Sequence, residues 1–200
     1  LRLELTFIYT VFCEGFLTAV RKPFFLRFVF MSKRALSKYL KELSKSDLEE
    51  QVLELYDRLK EVKEFYDFVF NPNEDKLLED AKFKISKEYF PIGKRKAKKR
   101  RSIAQNIIKN YIKLGVDSSF IADVMLFNIE VAQTYNETNT INGDAFYKSM
   151  LKSFKDAVKF IDSNGLEASF NERLERITEI TYNQNWVNKR VFEDVLDKRF

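Results

Sequence analysis

Histidine is absent from this 200-residue chain, and cysteine occurs once, at Cys13. Those two shortages remove more chemistry than any other feature. Nucleophile systems of the Ser-His-Asp and Cys-His kinds need an imidazole to take the proton. Zinc sites built from Cys and His are excluded with them. One cysteine cannot form a disulfide within one chain, so nothing argues for secretion, and the compartment expected is the cytoplasm. Glycine (five) and proline (three) are also scarce. A sheet-rich fold needs frequent Gly, Pro and Asn-Gly turns, whereas helices do not, so the class leans all-α. No glycine-rich phosphate loop is present, and no cofactor is expected. An enzyme would have to work with carboxylates, Lys, Tyr or Ser, and is the minority reading.

Hydrophobic residues make up 45% and charged residues 32%, the composition of a globular chain. The formal charge is +5, and its distribution is uneven. Residues 1–30 carry +2 and the remaining 170 carry +3. Within those 170, Lys94, Arg95, Lys96, Lys98, Lys99, Arg100 and Arg101 contribute +7, so everything else sums to −4. The body is mildly acidic and has one concentrated basic segment.

The first thirty residues differ from the rest. Seven of them are Phe, none is Asp, and the chain opens on Leu1. Met31 leads straight into an amphipathic pattern. The expectation is that residues 1–30 are upstream or non-native sequence outside the fold, with one all-helical domain over 31–200. A membrane or export segment is the rival. Against it, the apolar run from Leu5 to Val20 is short for a bilayer span and is broken by Glu14. No membrane association is expected of residues 31–200.

From Met31 the apolar residues fall on helical spacing. Leu36, Tyr39, Leu40 and Leu43 form a stripe, and Ser46-Asp47-Leu48-Glu49 reads as a capping box. It opens a long helix from Leu48 to Val69. Asn71 caps the next helix, with Pro72 in its first position, and Pro91 ends it. Ile103 to Ile112 make another stripe, closed by Gly115. Asp117 caps a helix that is apolar over much of its circumference, the mark of a central bundle helix. Stripes from Phe146 to Ile161, from Leu166 to Ile180 and from Val191 to Leu196 follow. Trp186 is expected in the core. The sum is about eight helices in a bundle or stacked hairpins.

Several of these blocks resemble a known family. They are Ser32 to Leu43 running into Ser46-Asp47-Leu48-Glu49-Glu50, Asn71-Pro72, the Phe90-Pro91 break, and Ala122 to Leu126 leading to Phe146-Tyr147-Lys148-Ser149-Met150. Together they resemble a bacterial family known only as domain of unknown function 6155, over roughly residues 32–180. The resemblance implies an all-α fold and a start near Met31. It implies no activity and no catalytic residues.

Three functional expectations compete. The first is a non-enzymatic helical module that docks a protein partner or itself through a helix face. The second is nucleic-acid binding by Lys94, Arg95, Lys96, Lys98, Lys99, Arg100 and Arg101. Positive charge before a helix is disfavoured by the dipole, and a phosphate backbone would compensate it; a solvated loop, or one paired with acidic helices, is the plainer account. The third is a carboxylate-held divalent cation at Asp123 and Glu130, which share a helix face with Phe127. Two acids on one stripe are common by chance, and a solvent-facing stripe, or pairing with Lys from a neighbour, is the plainer account there. The Asn136-Glu137-Thr138 sequon has no meaning without an export signal.

Overall fold

The computed structural model describes residues 32–139, 141 and 143–199. The expected leader, residues 1–30, lies outside the described residues. Those residues form nine α-helices and no strand: α1 (Lys33–Lys41), α2 (Lys45–Arg58), α3 (Lys60–Phe70), α4 (Glu74–Tyr89), α5 (Arg101–Leu114), α6 (Ser118–Thr138), α7 (Asp144–Ser163), α8 (Glu167–Asn183) and α9 (Lys189–Asp197). The class is all-α, as the composition implies. Contacts divide the chain into two compact units, 1–54 and 55–200.

In the first unit, the Ser32 hydroxyl caps α1 by accepting from the Ala35 amide at 3.2 Å. Ser44 and Asp47 then form a reciprocal capping box. The Ser44 hydroxyl accepts from the Asp47 amide (3.2 Å), and the Asp47 carboxylate accepts from the Ser44 amide (3.1 Å). These bonds hold the Asp47 carboxyl below its usual range, the Ser44 hydroxyl first among them. The box therefore starts two residues before the Ser46 expected from sequence. Asp47 is in the box in both accounts, but as its third helical residue instead of its first. Gln51 Nε2 donates to the Tyr39 hydroxyl at 3.0 Å, joining α2 to α1.

The second unit opens with a departure from expectation. The long helix expected from Leu48 to Val69 is broken at Leu59, which is extended (φ −113°, ψ 111°) and caps α3. No Pro or Gly marks the break. An unbroken helix would hold residues 56 and 67 about 16 Å apart along its axis. With the break, the Tyr56 hydroxyl donates to Asp67 Oδ1 at 3.0 Å, and the Tyr56 and Tyr66 rings sit 6.4 Å apart. Side-chain contacts that close only when the chain folds back offset the lost helical turn. This break is why nine helices stand where about eight were expected. The cap of α4 is likewise Asn73, whose side chain accepts from the Lys76 amide at 3.0 Å, and not Asn71.

The core is organised around α6, the most apolar helix, as its all-round greasiness implies. It packs against α4, α5, α7 and α8, and Ala122, Val124, Leu126, Ile129 and Ala132 are fully buried. Gly115 ends α5 in the left-handed region (φ 76°), where a side chain would be strained. Trp186 is 2% exposed, in the core as expected. Its ring lies 5.9 Å from Phe146, 5.3 Å from Tyr147 and 5.9 Å from Phe192, and its indole donates to Gln184 Oε1 at 2.8 Å. Gln133, buried on α6, donates to the Ile177 carbonyl (2.7 Å) and the Thr181 hydroxyl (2.9 Å), which stitches α8 to the centre. No helix among the described residues is long and apolar enough to cross a membrane.

Candidate functional site

The basic segment lies between α4 and α5, and the structure divides its seven cations into two groups. Arg100 is locked. Its Nε and Nη2 each donate at 2.8 Å to the two carboxylate oxygens of Glu88. Glu88 also accepts the Lys98 and Lys99 amides on its carbonyl, at 2.9 and 3.0 Å. Arg101 donates to the Ser153 hydroxyl (2.7 Å) and Asp156 Oδ2 (2.8 Å) on α7. Lys99, with φ 53°, places its ammonium 5.4 Å from the centre of the Tyr135 ring. The hydrogen bonds from Arg100 hold the Glu88 carboxyl below its usual range. Positive charge at the start of α5 is thus compensated from within the chain, by Glu88 and Asp156. Lys94, Arg95, Lys96 and Lys98 are different: all four are exposed, and their side chains make no hydrogen bond or ion pair among the described residues, although the Lys98 charge is felt by Glu88.

Asp123 and Glu130 do share a face of α6, and the structure fills it. The Arg173 guanidinium from α8 spans both acids. It donates to Glu130 Oε1 and Oε2 at 2.6 and 2.7 Å and to Asp123 Oδ1. Lys82 from α4 takes Asp123 Oδ2 at 2.7 Å, with its ammonium 5.4 Å from the Phe127 ring. Burial raises the Asp123 carboxyl, and the bonds from Lys82 and Arg173 outweigh it, leaving the group below its usual range. All four oxygens of the pair are engaged by cations, where a divalent ion would need them free. Among the described residues no cluster of three His, Cys, Asp or Glu is placed to hold a metal. The arrangement is a clamp joining α4, α6 and α8.

Apolar side chains are also exposed in each of the two units. None of α1, α2 and α3 contains a buried residue. On residues 55–70, Leu55, Leu59, Phe65, Val69 and Phe70 are exposed, Phe70 at 76%. Their rings are organised: Phe65 meets Tyr66 edge-on at 5.5 Å, and Phe70 stacks on Tyr66 at 6.3 Å. In residues 32–54, Leu36, Val52 and Leu53 are exposed. Charge accompanies the apolar groups. Helix α1 bears Lys33, Arg34, Lys38 and Lys41 and no acid, whereas α2 and α3 together carry eight acids against four bases. The apolar periodicity of these helices is plain in the sequence, but only the structure shows that their stripes are at most half-buried, with Phe68 packed against the core.

A model described as a family of unknown function, DUF6155, matches residues 31–200. The chain belongs to that family. The DUF6155 match takes in every helix from α1 to α9, beyond the 32–180 over which the resemblance was traced. No curated protein and no solved structure matches the chain.

Proposed function

We propose that this DUF6155 protein is a helical interaction module that assembles with a second copy of itself through α1–α3. The observation that carries the reading is that three amphipathic helices lack a single buried residue. Isolated helices of this length are marginal in water, and most helical stability comes from covering an apolar face. A covering partner meets that need.

Charge favours a second copy over another protein. The basic α1, at +4, and the acidic α2–α3, at −4, are complementary surfaces of one chain. In a twofold assembly, α1 of each copy faces α2–α3 of the other, and the contact is made twice and closes. Exposed Phe65 and Phe70 have the character of interface anchors, since aromatic residues dominate binding energy where they become desolvated. The setting proposed is the cytoplasm, which suits a chain with one cysteine.

Light-scattering mass measurement on the full chain tests this directly. The expected result is a dimer that Phe65→Ser with Phe70→Ser converts to a monomer of unchanged helix content. A wild-type monomer throughout the micromolar range would overturn self-association.

A further inference from the structure

The four unpaired cations of the basic segment do not stand alone. Arg101, which ends that segment, reaches Ser153 and Asp156 on α7. Lys152 and Lys155 immediately precede those two residues in sequence. Lys148, Lys152, Lys155 and Lys159 are spaced four, three and four residues apart, which aligns them along one side of the helix. All four are exposed and without a partner among the described residues.

The acids of α7 explain why the lysines stay unpaired. Asp156 is one turn from both Lys152 and Lys159, but Arg101 engages it. Asp162 is engaged by Arg199. Asp144 alone is unpaired, in the first turn, where it complements the helix dipole. The Arg101–Asp156 pair therefore ties the end of the basic segment to the helix that carries the stripe. Eight exposed cationic side chains without a hydrogen bond or ion pair among the described residues result, four on the loop and four on the helix.

We propose that loop residues Lys94, Arg95, Lys96 and Lys98 and the α7 lysines form one face that binds the phosphodiester backbone of a nucleic acid. This rests on different residues from self-association and stands or falls without it. Lys99, Arg100 and Arg101 hold the loop and are not contacts. The eleven helical steps from Lys148 to Lys159 span about 16 Å. Over that length one nucleic-acid strand presents about five phosphates and a duplex about ten. A linear row of cations on the convex side of a helix suits a polymer of repeating charge. A small phosphorylated molecule would need donors converging on a pocket, and concavities on α1 and on α8–α9 are lined by other residues. An anionic membrane fits less well, because the apolar side of α7 (Met150, Phe154, Ala157, Val158, Ile161) is in the core and has nothing to insert. Contact limited to phosphates carries no sequence preference. The stripe has no interleaved aromatic on which single-stranded bases would stack, so duplex is favoured over single strand.

The test is anisotropy titration of labelled DNA and RNA duplexes, and of the matching single strands, with the full chain. Binding to duplex is expected to fall steeply with salt, by roughly 10⁴-fold between about 50 and 200 mM if all eight cations engage. Replacing Lys148, Lys152, Lys155 and Lys159 by Gln should weaken binding at least tenfold and lower the salt slope by about 3.6. Replacing Lys94, Arg95, Lys96 and Lys98 by Ser should do the same. A control removing four other exposed cations, Lys76, Lys113, Arg176 and Lys198, should change affinity no more than about twofold. The proposal is overturned by any of four results: no duplex binding at low salt, wild-type binding by either quadruple variant, an equal loss in the control, or binding only to anionic phospholipid vesicles.

Discussion

Helices α1–α3 and helices α4–α9 are written in the same sequence grammar, with capped starts and apolar stripes at helical spacing, yet they end in opposite states. Each of α4–α9 contributes buried side chains, and none of α1–α3 does. Periodicity reports that a helix has a face to cover; it does not report what covers it. In α4–α9 the cover is intramolecular, centred on α6. In α1–α3 the apolar groups are exposed or half-buried among charges of one dominant sign per helix. The first group fits a folding core, and the second fits an assembly surface.

That contrast predicts where substitutions act. Trp186→Ala, in the core, should cost about 3–5 kcal/mol in urea denaturation, because it removes the ring that packs against Phe146, Tyr147 and Phe192. A cost under about 1 kcal/mol would mean that the core is not organised around this residue. Arg173→Ala should cost about 2 kcal/mol, between the values for exposed and buried pairs, because the clamp is half-buried and the loss leaves Asp123 and Glu130 facing each other. Arg173→Met tests the charge separately from the packing, and should recover less than half of that loss.

Smaller effects follow from pH. Asp123 and Glu88 are both held below the ordinary carboxylate range in the folded chain. A depressed group contributes stability that is fully present above its unfolded value, near 4, and lost as pH falls through its folded value. Stability should therefore be level from about pH 7 to 5 on account of these groups and decline below about pH 4. Asp123→Asn should be less stable at neutral pH and flatter in acid; an acid decline as steep as wild type would remove Asp123 from the account. The smallest effect on folding is expected at the apolar surface. Phe65→Ser with Phe70→Ser, measured at a concentration where the protein is monomeric, should alter stability by no more than about 0.5 kcal/mol. A loss as large as that at Trp186 would erase the distinction between the two groups of helices.

Much of the fold was legible because its signals are local. The greasy circumference of α6, Gly115 behind α5 and Pro91 behind α4 all carry their meaning within a few residues. Two caps were misplaced by two residues, Ser44 read as Ser46 and Asn73 as Asn71, because neighbouring positions offered side chains of the same capping chemistry. The break at Leu59 had no Pro or Gly to announce it; it depends on Tyr56 meeting Asp67 and Tyr66 after the chain turns. The candidate sites were legible only as halves. Seven cations in a row were visible, but the acids that take Arg100 and Arg101 lie 12 and 55 residues away. Asp123 and Glu130 were visible as a pair, but Arg173 is 50 and 43 residues distant. The lysines of α7 were present at regular spacing, and their significance came only from Arg101 placing the basic loop beside them.

The comparison between the two groups of helices is tested most directly by hydrogen exchange of the full chain at low and high protein concentration. The account predicts that amides of α1–α3 exchange more slowly as concentration rises, while those of α4–α9 are unchanged. Exchange in α1–α3 that is independent of concentration would contradict the claim that a second copy covers them.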